Sequence, residues 1–379
     1  MNTATEKKQF GFEVLAKDPS CGARTGRVRT AHGDFLTPVF MPVGTQGTVK
    51  GLLPRDLHDL QAEIILSNTY HLFIRPGVDI LLKAQGLHRF MGWSAPILTD
   101  SGGYQVFSLS RLREITEKGV TFRSHVDGKE IFLGPEVVMD IQEAIGSDIA
   151  MIFDECPPPT LDQACIRQAC ELTTRWAERA KKHHRLKSQA LFGIIQGGVF
   201  PELRLEHLQR ITDLDFDGYA LGGLCVGENK DDTFRIFREV IPAMPENKPR
   251  YMMGIGTPID FLEAVEQGAD MFDCVTPTRY GRNGTAFTSR GLIVVRNGKY
   301  HADFLPLDET CGCYTCRNFS RSYLRHLFNT DEMLGLQLVS LHNVYFFVHF
   351  LKAMRTAIEA GGFLEFKRKF TDSFDPGCR

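Results

Sequence analysis

A chain of 379 residues, 43% hydrophobic, 24% charged and 10% aromatic, has the composition of a folded protein and excludes disordered, fibrous and collagen-like classes. Its 44 Lys and Arg against 46 Asp and Glu leave a formal net charge of −2, which excludes a globally basic nucleic-acid binder but allows a local basic face. The 10 cysteines, with no apolar run of signal-peptide length near Met1, read as cytoplasmic thiols or metal ligands rather than disulfides.

Residues 10–37 read as antiparallel strands turning at His32-Gly33-Asp34, a cover for one end of the fold. Short apolar runs follow at Pro38–Pro42, Ile64–Asn68, Pro96–Asp100 and Ile149–Asp154. The series continues with Leu191–Gln196, Gly218–Gly222, Tyr251–Ile255 and Met271–Val275. None alternates, as parallel strands covered on both faces should not. Between them, Pro54–Ala62, Pro76–Gln85, Pro135–Ile145, Leu161–Lys187, Pro201–Thr212, Asp231–Ile241 and Pro258–Gln267 carry helical period. Several of these open with Pro in the first turn, a favoured position. Residues 119–133 alternate around Asp127-Gly128, a hairpin inserted after the third run. Leu338 to Met354 is the most apolar later stretch, but His342, Asn343 and His349 interrupt it, so no membrane span is expected.

Eight strand–helix units point to an α/β fold, a (β/α)8 barrel, with the N-terminal antiparallel cover and a C-terminal zinc-binding subdomain. A doubly wound open sheet is the competing architecture, and it would usually bring fewer strands and a Gly-x-Gly-x-x-Gly turn, which is absent after the first runs. The expected organisation is one barrel domain over 1–379, with 276–350 inserted within it as the metal-binding subdomain.

Three runs end in aspartate: Asp100, Asp154 and Asp273. A single Asp at such a place is usually a helix cap. Three inside apolar runs lie where burial and mutual repulsion separate their pKa values. Two carboxylates in one mouth are the equipment of glycosidic chemistry, one attacking the anomeric carbon and one relaying a proton. Around them stand Ser101-Gly102-Gly103, Gln196-Gly197-Gly198 and Gly222-Gly223-Leu224, loops where missing side chains let a planar ligand reach backbone groups. Tyr104 and Met253 are candidates to sandwich such a ring. Gln196 suits an amide edge that donates and accepts. Carboxylate, amide and backbone donors together suit a purine better than a sugar.

Cys311-x-Cys313-x-x-Cys316 puts three thiolates within reach of one ion. Zn²⁺ takes four such ligands, so a histidine must complete the set. His301, His326, His342 and His349 are the candidates; His342 and His349 are about 10 Å apart on one predicted helix and cannot both bind. A closed Cys3His site is expected to be structural. Between Asp273 and Asp303 there is no acidic residue, while Arg279, Arg282, Arg290, Arg296 and Lys299 fall there. Such a stripe suits phosphate contacts, and its arginines suit bases in a splayed strand.

Taken in order, TDSGGYQVFSL, MIFDEC, IIQGG, ALGGLCVGE, YMMGIGTP, FDCVTPTRYGRNG and CGCYTC with His342 resemble the bacterial-type tRNA-guanine transglycosylases, also called queuine tRNA-ribosyltransferases. The resemblance runs from about residue 10 to beyond 350. It implies a cytoplasmic homodimer that exchanges the wobble guanine of GUN-anticodon tRNAs for 7-aminomethyl-7-deazaguanine (preQ1). Asp273 matches the nucleophile on ribose C1′, and Asp100 the general acid/base. Asp154 matches the carboxylate on the base's N1–H and amino edge. Gln196 and the Gly223 N–H match donors to its carbonyl, and the Leu224 carbonyl faces an aminomethyl group. Tyr104 and Met253 flank the ring, with Ser101, Gly102, Gly103, Cys156 and Gly222 completing the pocket.

The resemblance also implies tRNA contacts along Gly254, Ile255, Gly256, Thr257, Pro258, Ile259 and Asp260. A second contact stretch covers Thr278, Arg279, Tyr280, Gly281 and Arg282, with the two arginines on the uridines that flank the wobble base. Cys311, Cys313, Cys316 and His342 match the ligands of one structural Zn²⁺ per chain. Val226 follows the bacterial pattern, where the eukaryotic type has glycine and room for queuine; Cys225 stands where alanine is commoner. Two rival classes share some of these residues. A glycoside or nucleoside hydrolase leaves the cysteine knot and arginine stripe unexplained. A non-catalytic RNA-binding paralogue is opposed by the presence of both Asp100 and Asp273.

Overall fold

The computed structural model describes residues 10–109, 113–158 and 160–378. Its centre is an 8-stranded parallel sheet. The strands, numbered one to eight in chain order, are Val39–Pro42, Ile65–Asn68, Ile97–Asp100, Ile149–Met151, Ala190–Ile195, Gly218–Leu221, Arg250–Met252 and Met271–Cys274. Each of the eight apolar runs of the sequence therefore overlaps a barrel strand, with the strands at Ala190 and Arg250 starting one residue before their runs. Strand one pairs with strand eight, and a parallel bridge between Val43 and Leu66 joins it to strand two, closing the barrel. Strands one, two, four, five, six and seven are buried throughout, which explains their unbroken apolar character. Burial relaxes only at Asp100 and Asp273, on strands three and eight.

The crossover helices fall where helical period is expected, including Pro135–Ile145, Gln163–His183, Pro201–Asp213, Lys230–Val240 and Pro258–Glu266. The N-terminal strands Gly11–Lys17, Arg24–Thr30 and Gly33–Thr37 form an antiparallel sheet. Its last turn is Ala31-His32, one step before the expected position, because Thr30 already pairs with Gly33. The sheet closes the barrel end at which the strands begin. Buried Arg24 donates to both carboxylate oxygens of Asp270, just before strand eight, and to the carbonyls of Glu246 and Lys248, just before strand seven. The hairpin reading of 119–133 extends to three strands, Arg113–Thr116, Gly119–Arg123 and Glu130–Leu133.

Beyond strand eight, Thr276–Arg282 is helical, and the hairpin Thr285–Thr288/Gly291–Val294 follows. A small core of its own gathers Ala286, Val295, Leu307, Leu324, Phe328 and Val339. Met333–Glu359 is one 27-residue helix, continuing past the expected boundary at 350. By length and composition alone it is apolar enough to cross a bilayer, but 61% of its most apolar window is buried inside the protein. It is therefore a core helix. Arg355 ties it to the barrel by donating to the carbonyls of Leu36 and Pro38 and to Glu63 at 2.6 Å.

Candidate active site

The end of the barrel at which the strands finish opens into a cavity of about 640 Å³. Every barrel strand sends a residue to its wall, at the strand or just past it: Val43, Leu66, Asp100, Asp154, Gln196, Gly222, Tyr251 and Asp273. Convergence at this face is what parallel closure produces. Ser101, Gly102, Gly103, Tyr104, Cys156, Gly223, Leu224 and Met253 also line it, so the whole predicted base pocket is brought together.

Asp100 is held by three donors. Asn68 Nδ2 reaches Oδ2 at 2.6 Å, while the Thr69 and Gly102 N–H groups reach Oδ1 at 3.2 and 3.1 Å. Burial nevertheless pushes its carboxyl up to about 7, and the charge of Asp273 adds to the rise. A carboxyl near neutrality is suited to give and take a proton. Asp273 is also raised by burial, against which the Tyr251 hydroxyl and the Gly254 N–H stabilise the charged form. Both donors fall on Oδ1, at 2.5 and 2.8 Å, which leaves Oδ2 as the oxygen without a donor among the described residues.

At the back of the cavity Asp154, 4% exposed, accepts from Ser101 Oγ at 3.0 Å and from Gln196 Nε2 at 2.7 Å. Burial raises its pKa too. The result is an acceptor edge beside an amide, complementary to a heterocycle with adjacent N–H and carbonyl groups. Gly103 makes this possible, since a Cβ there would stand 2.8 Å from Asp154 Oδ1. Leu224 is oriented by Glu228, whose carboxylate accepts from the Cys225 N–H and, at 3.0 Å, from the Val226 N–H. Because a trans peptide points its carbonyl opposite its N–H, the Leu224 oxygen faces away from Glu228.

Thr278, Arg279 and Arg282 line the outer cavity. Arg282 carries a buried Nη1 with no partner among the described residues. The other predicted tRNA-contact residues divide. Gly254, Arg279 and Tyr280 are exposed, whereas Ile255, Gly256 and Pro258 are buried. Asp260, 1% exposed, does not offer its side chain at the surface. It caps its own helix through Thr257 and pairs with Lys230 at 2.5 Å. Gly281 packs against the backbone of Ser340.

Cys311, Cys313 and Cys316 converge on His342, their sulfurs 3.6, 3.4 and 3.3 Å from its Nδ1. Bond lengths of about 2.3 Å to sulfur and about 2.0 Å to nitrogen imply tetrahedral S···N edges of roughly 3.5 Å, so the four residues fit Zn²⁺. The ring's Nε2 lies 2.6 Å from the Phe287 carbonyl, which fixes the tautomer that leaves Nδ1 free to ligate. Of the other candidates, His349 stacks on Tyr345, with ring centroids 3.8 Å apart. A second cluster, His32, His88 and Asp148, lies at the opposite end of the barrel. Its two imidazoles stack 3.6 Å apart at 16°, so their ring planes run side by side rather than converge on an ion.

Sequence reasoning missed Tyr251, Asn68, Arg204 and Glu228. Asn68 ends a strand run as Asp100 does, and the same rule finds it. Arg204 sits in a helical stripe with Leu208 and Ile211, a charge on an apolar face.

A family model described as queuine tRNA-ribosyltransferase matches residues 18–376. A queuine tRNA-ribosyltransferase of Thermoanaerobacter sp. (strain X514) is 54% identical over 360 residues, covering 95% of this chain and 96% of the relative. That of Desulforamulus reducens is 52% identical over 366 residues, 97% and 99% of the two chains. That of Pediococcus pentosaceus is 51% identical over 364 residues, 96% of each.

Proposed function

Since the chain belongs to the queuine tRNA-ribosyltransferase family, an enzyme family of tRNA-guanine transglycosylases, we propose how its mouth performs the exchange and on which base. The substrate is the anticodon stem-loop of a GUN-anticodon tRNA, and the entering base is preQ1. The observation that carries the reading is the pair Asp100 and Asp273, facing one cavity whose back wall is Asp154 and Gln196.

Oδ2 of Asp273 attacks ribose C1′ of the wobble nucleotide. The C1′–N9 bond breaks, its electron pair stays on the guanine nitrogen, and Asp100 supplies the proton. After guanine leaves, preQ1 occupies the same wall and gives its N9 proton to Asp100. The nitrogen then attacks C1′ and frees Asp273. The ester keeps the ribosyl group activated, so no nucleotide triphosphate is consumed. Water must be excluded meanwhile, and the tRNA covering the mouth does this.

Asp154 accepts from the base's N1–H and amino group, while Gln196 and the Gly223 N–H donate to its carbonyl. Tyr104 and Met253 flank the ring. The Leu224 carbonyl, turned from Glu228, accepts from the aminomethyl group, and Val226 limits the room beyond it. Arg279 and Arg282 take the flanking uridines, and the buried, unpartnered Nη1 of Arg282 supports this. Gly254 to Asp260 forms the second tRNA contact at its exposed end, Gly254, with Thr257 and Ile259 partly exposed behind it and Asp260 serving as the cap of the helix that holds the segment. Cys311, Cys313, Cys316 and His342 hold one Zn²⁺ in the inserted subdomain 276–350, where the ion contributes folding energy and no chemistry. A cytoplasmic homodimer is the assembly that accords with this reading.

The test is guanine exchange into a wobble-G tRNA, competed by preQ1 and by queuine. Enzyme, tRNA and base should give a complex that survives denaturation, and Asp273→Asn should abolish it. Persistence of that complex in the variant would remove Asp273 as nucleophile.

A further inference from the structure

Arg204 is the charge in this protein with the least obvious reason to be where it is. It is 0% exposed, on the helix Pro201–Asp213 behind strands five and six. Burying a guanidinium costs several kcal/mol unless its donors are well satisfied. Its four acceptors are all backbone carbonyls. Nε donates to Gly198 at 2.7 Å and Nη1 to Ile195 at 3.2 Å, while Nη2 donates to Gly222 at 3.0 Å and Gly223 at 3.3 Å. The side chain thus staples the loop after strand five, which carries Gln196, to the loop after strand six.

The Gly222 carbonyl belongs to the same peptide unit as the Gly223 N–H. In a trans peptide the two point in opposite directions. With its oxygen on Arg204, this unit turns its N–H away from the helix, and among the described residues nothing accepts from it. Gly223 has φ +64°, and a Cβ there would meet Gln196 Oε1 at 2.4 Å, so the Gln196 amide lies directly against the Gly223 Cα and only glycine fits between the two loops. A carbonyl bonded to a cation polarises its peptide, and the N–H at the other end becomes a better donor.

We propose that Arg204 is a positioning residue for base recognition, fixing and polarising the Gly222–Gly223 peptide so that the Gly223 N–H is a strengthened donor to the ring carbonyl of the leaving and entering base. This rests on the base-binding reading above. Burial lowers the guanidinium only to about 10, so the charge persists at neutral pH.

The test compares guanine with 6-thioguanine, which keeps the N1–H and amino edge but replaces the carbonyl oxygen with a weaker acceptor. Both are measured as competitors of base exchange with full-length wild type, Arg204→Met and Arg204→Lys, with folding checked by circular dichroism and tRNA affinity measured alongside. Arg204→Met is expected to weaken guanine about tenfold and 6-thioguanine less than threefold, with tRNA affinity unchanged. Arg204→Lys, which keeps a cation near fewer carbonyls, should weaken guanine about threefold and leave 6-thioguanine unchanged. Equal losses for the two bases, or no loss for guanine, overturn the proposal; if Arg204→Met does not fold, Arg204→Lys is judged by the same comparison. A wild type that bound neither base would instead overturn the base-binding reading itself.

Discussion

The hydroxyl of Tyr251 donates to Oδ1 of Asp273 at 2.5 Å, from a ring that is 0% exposed. Strand seven delivers the donor and strand eight the acceptor, side by side in the sheet. Burial favours a neutral Asp273, and this bond, with the Gly254 N–H, works against it. In the proposed mechanism Asp273 must be ionised to attack, so Tyr251 would set the fraction of enzyme ready to react.

Tyr251→Phe keeps the ring and removes the donor. Asp273 then rises further, and less of it is carboxylate at any acidic pH. The acid limb of kcat/KM for tRNA should move to higher pH. Loss of a hydrogen bond to a charged group implies about a tenfold deficit at pH 6, shrinking towards wild type by pH 8.5. A pH profile with an unmoved acid limb would separate Tyr251 from the ionisation of Asp273.

Asp100, pushed up to about 7 mainly by burial, makes two predictions of opposite sign. In the proposed mechanism the departure of guanine needs its protonated form, so single-turnover formation of the covalent complex should fall as pH rises through about 7. Asp100→Asn should abolish exchange yet stabilise the protein. The folded pKa lies above the unfolded one, so between about 4 and 7 folding requires a proton, and stability declines as pH rises across that window. Above it the burial penalty of the charge is complete. The melting-temperature gain of Asp100→Asn should therefore be near zero at pH 4 and reach a few degrees at pH 8. A gain independent of pH would contradict the buried-charge explanation.

The barrel was legible because parallel strands covered on both faces are continuous apolar runs, and each run here overlaps one strand. Asp100, Asp154 and Asp273 stood out as charges inside those runs. Tyr251 did not, because a tyrosine in an apolar strand looks like core, and its acceptor lies 22 residues away. Arg204 was hidden for the same reason, its carbonyls belonging to two loops. The cysteine spacing pointed to an ion but left four histidines open; the resemblance chose His342, and the 27-residue helix brings it to the three sulfurs. Short helices such as Thr69–Ile74 left no trace, being too brief to show a period.

Val226 lines the cavity next to Leu224 and Cys225, with its N–H held by Glu228. Val226→Gly removes volume without removing any polar contact. It should admit queuine as a competitor at least about tenfold more strongly than wild type, with preQ1 changing less than threefold. Inhibition of labelled-guanine exchange measures both. If queuine gained nothing, the limit on the 7-substituent would lie elsewhere in the wall.

The Cys3His cluster is tied to the mouth through the residue after its histidine. Asn343 accepts from the Phe287 N–H at 2.9 Å and donates to the carbonyls of Thr285 at 2.9 Å and Pro277 at 3.0 Å. Hydrogen bonds within the cluster lower the Cys313 thiol and raise that of Cys311, so without a cation the three sulfurs do not all give up their protons. If the cluster holds Zn²⁺ as proposed, losing it should loosen the His342–Asn343 turn and, through Asn343, the segment carrying Arg279 and Arg282. Cys316→Ser should therefore lose about one equivalent of zinc and melt several degrees lower. Hydrogen exchange should accelerate in 276–295 while strands three to six stay protected. tRNA affinity should drop, whereas binding of free guanine to the Asp154 wall should be kept. A variant that lost its zinc and its turnover but kept both stability and tRNA affinity would require the ion to act in the chemistry.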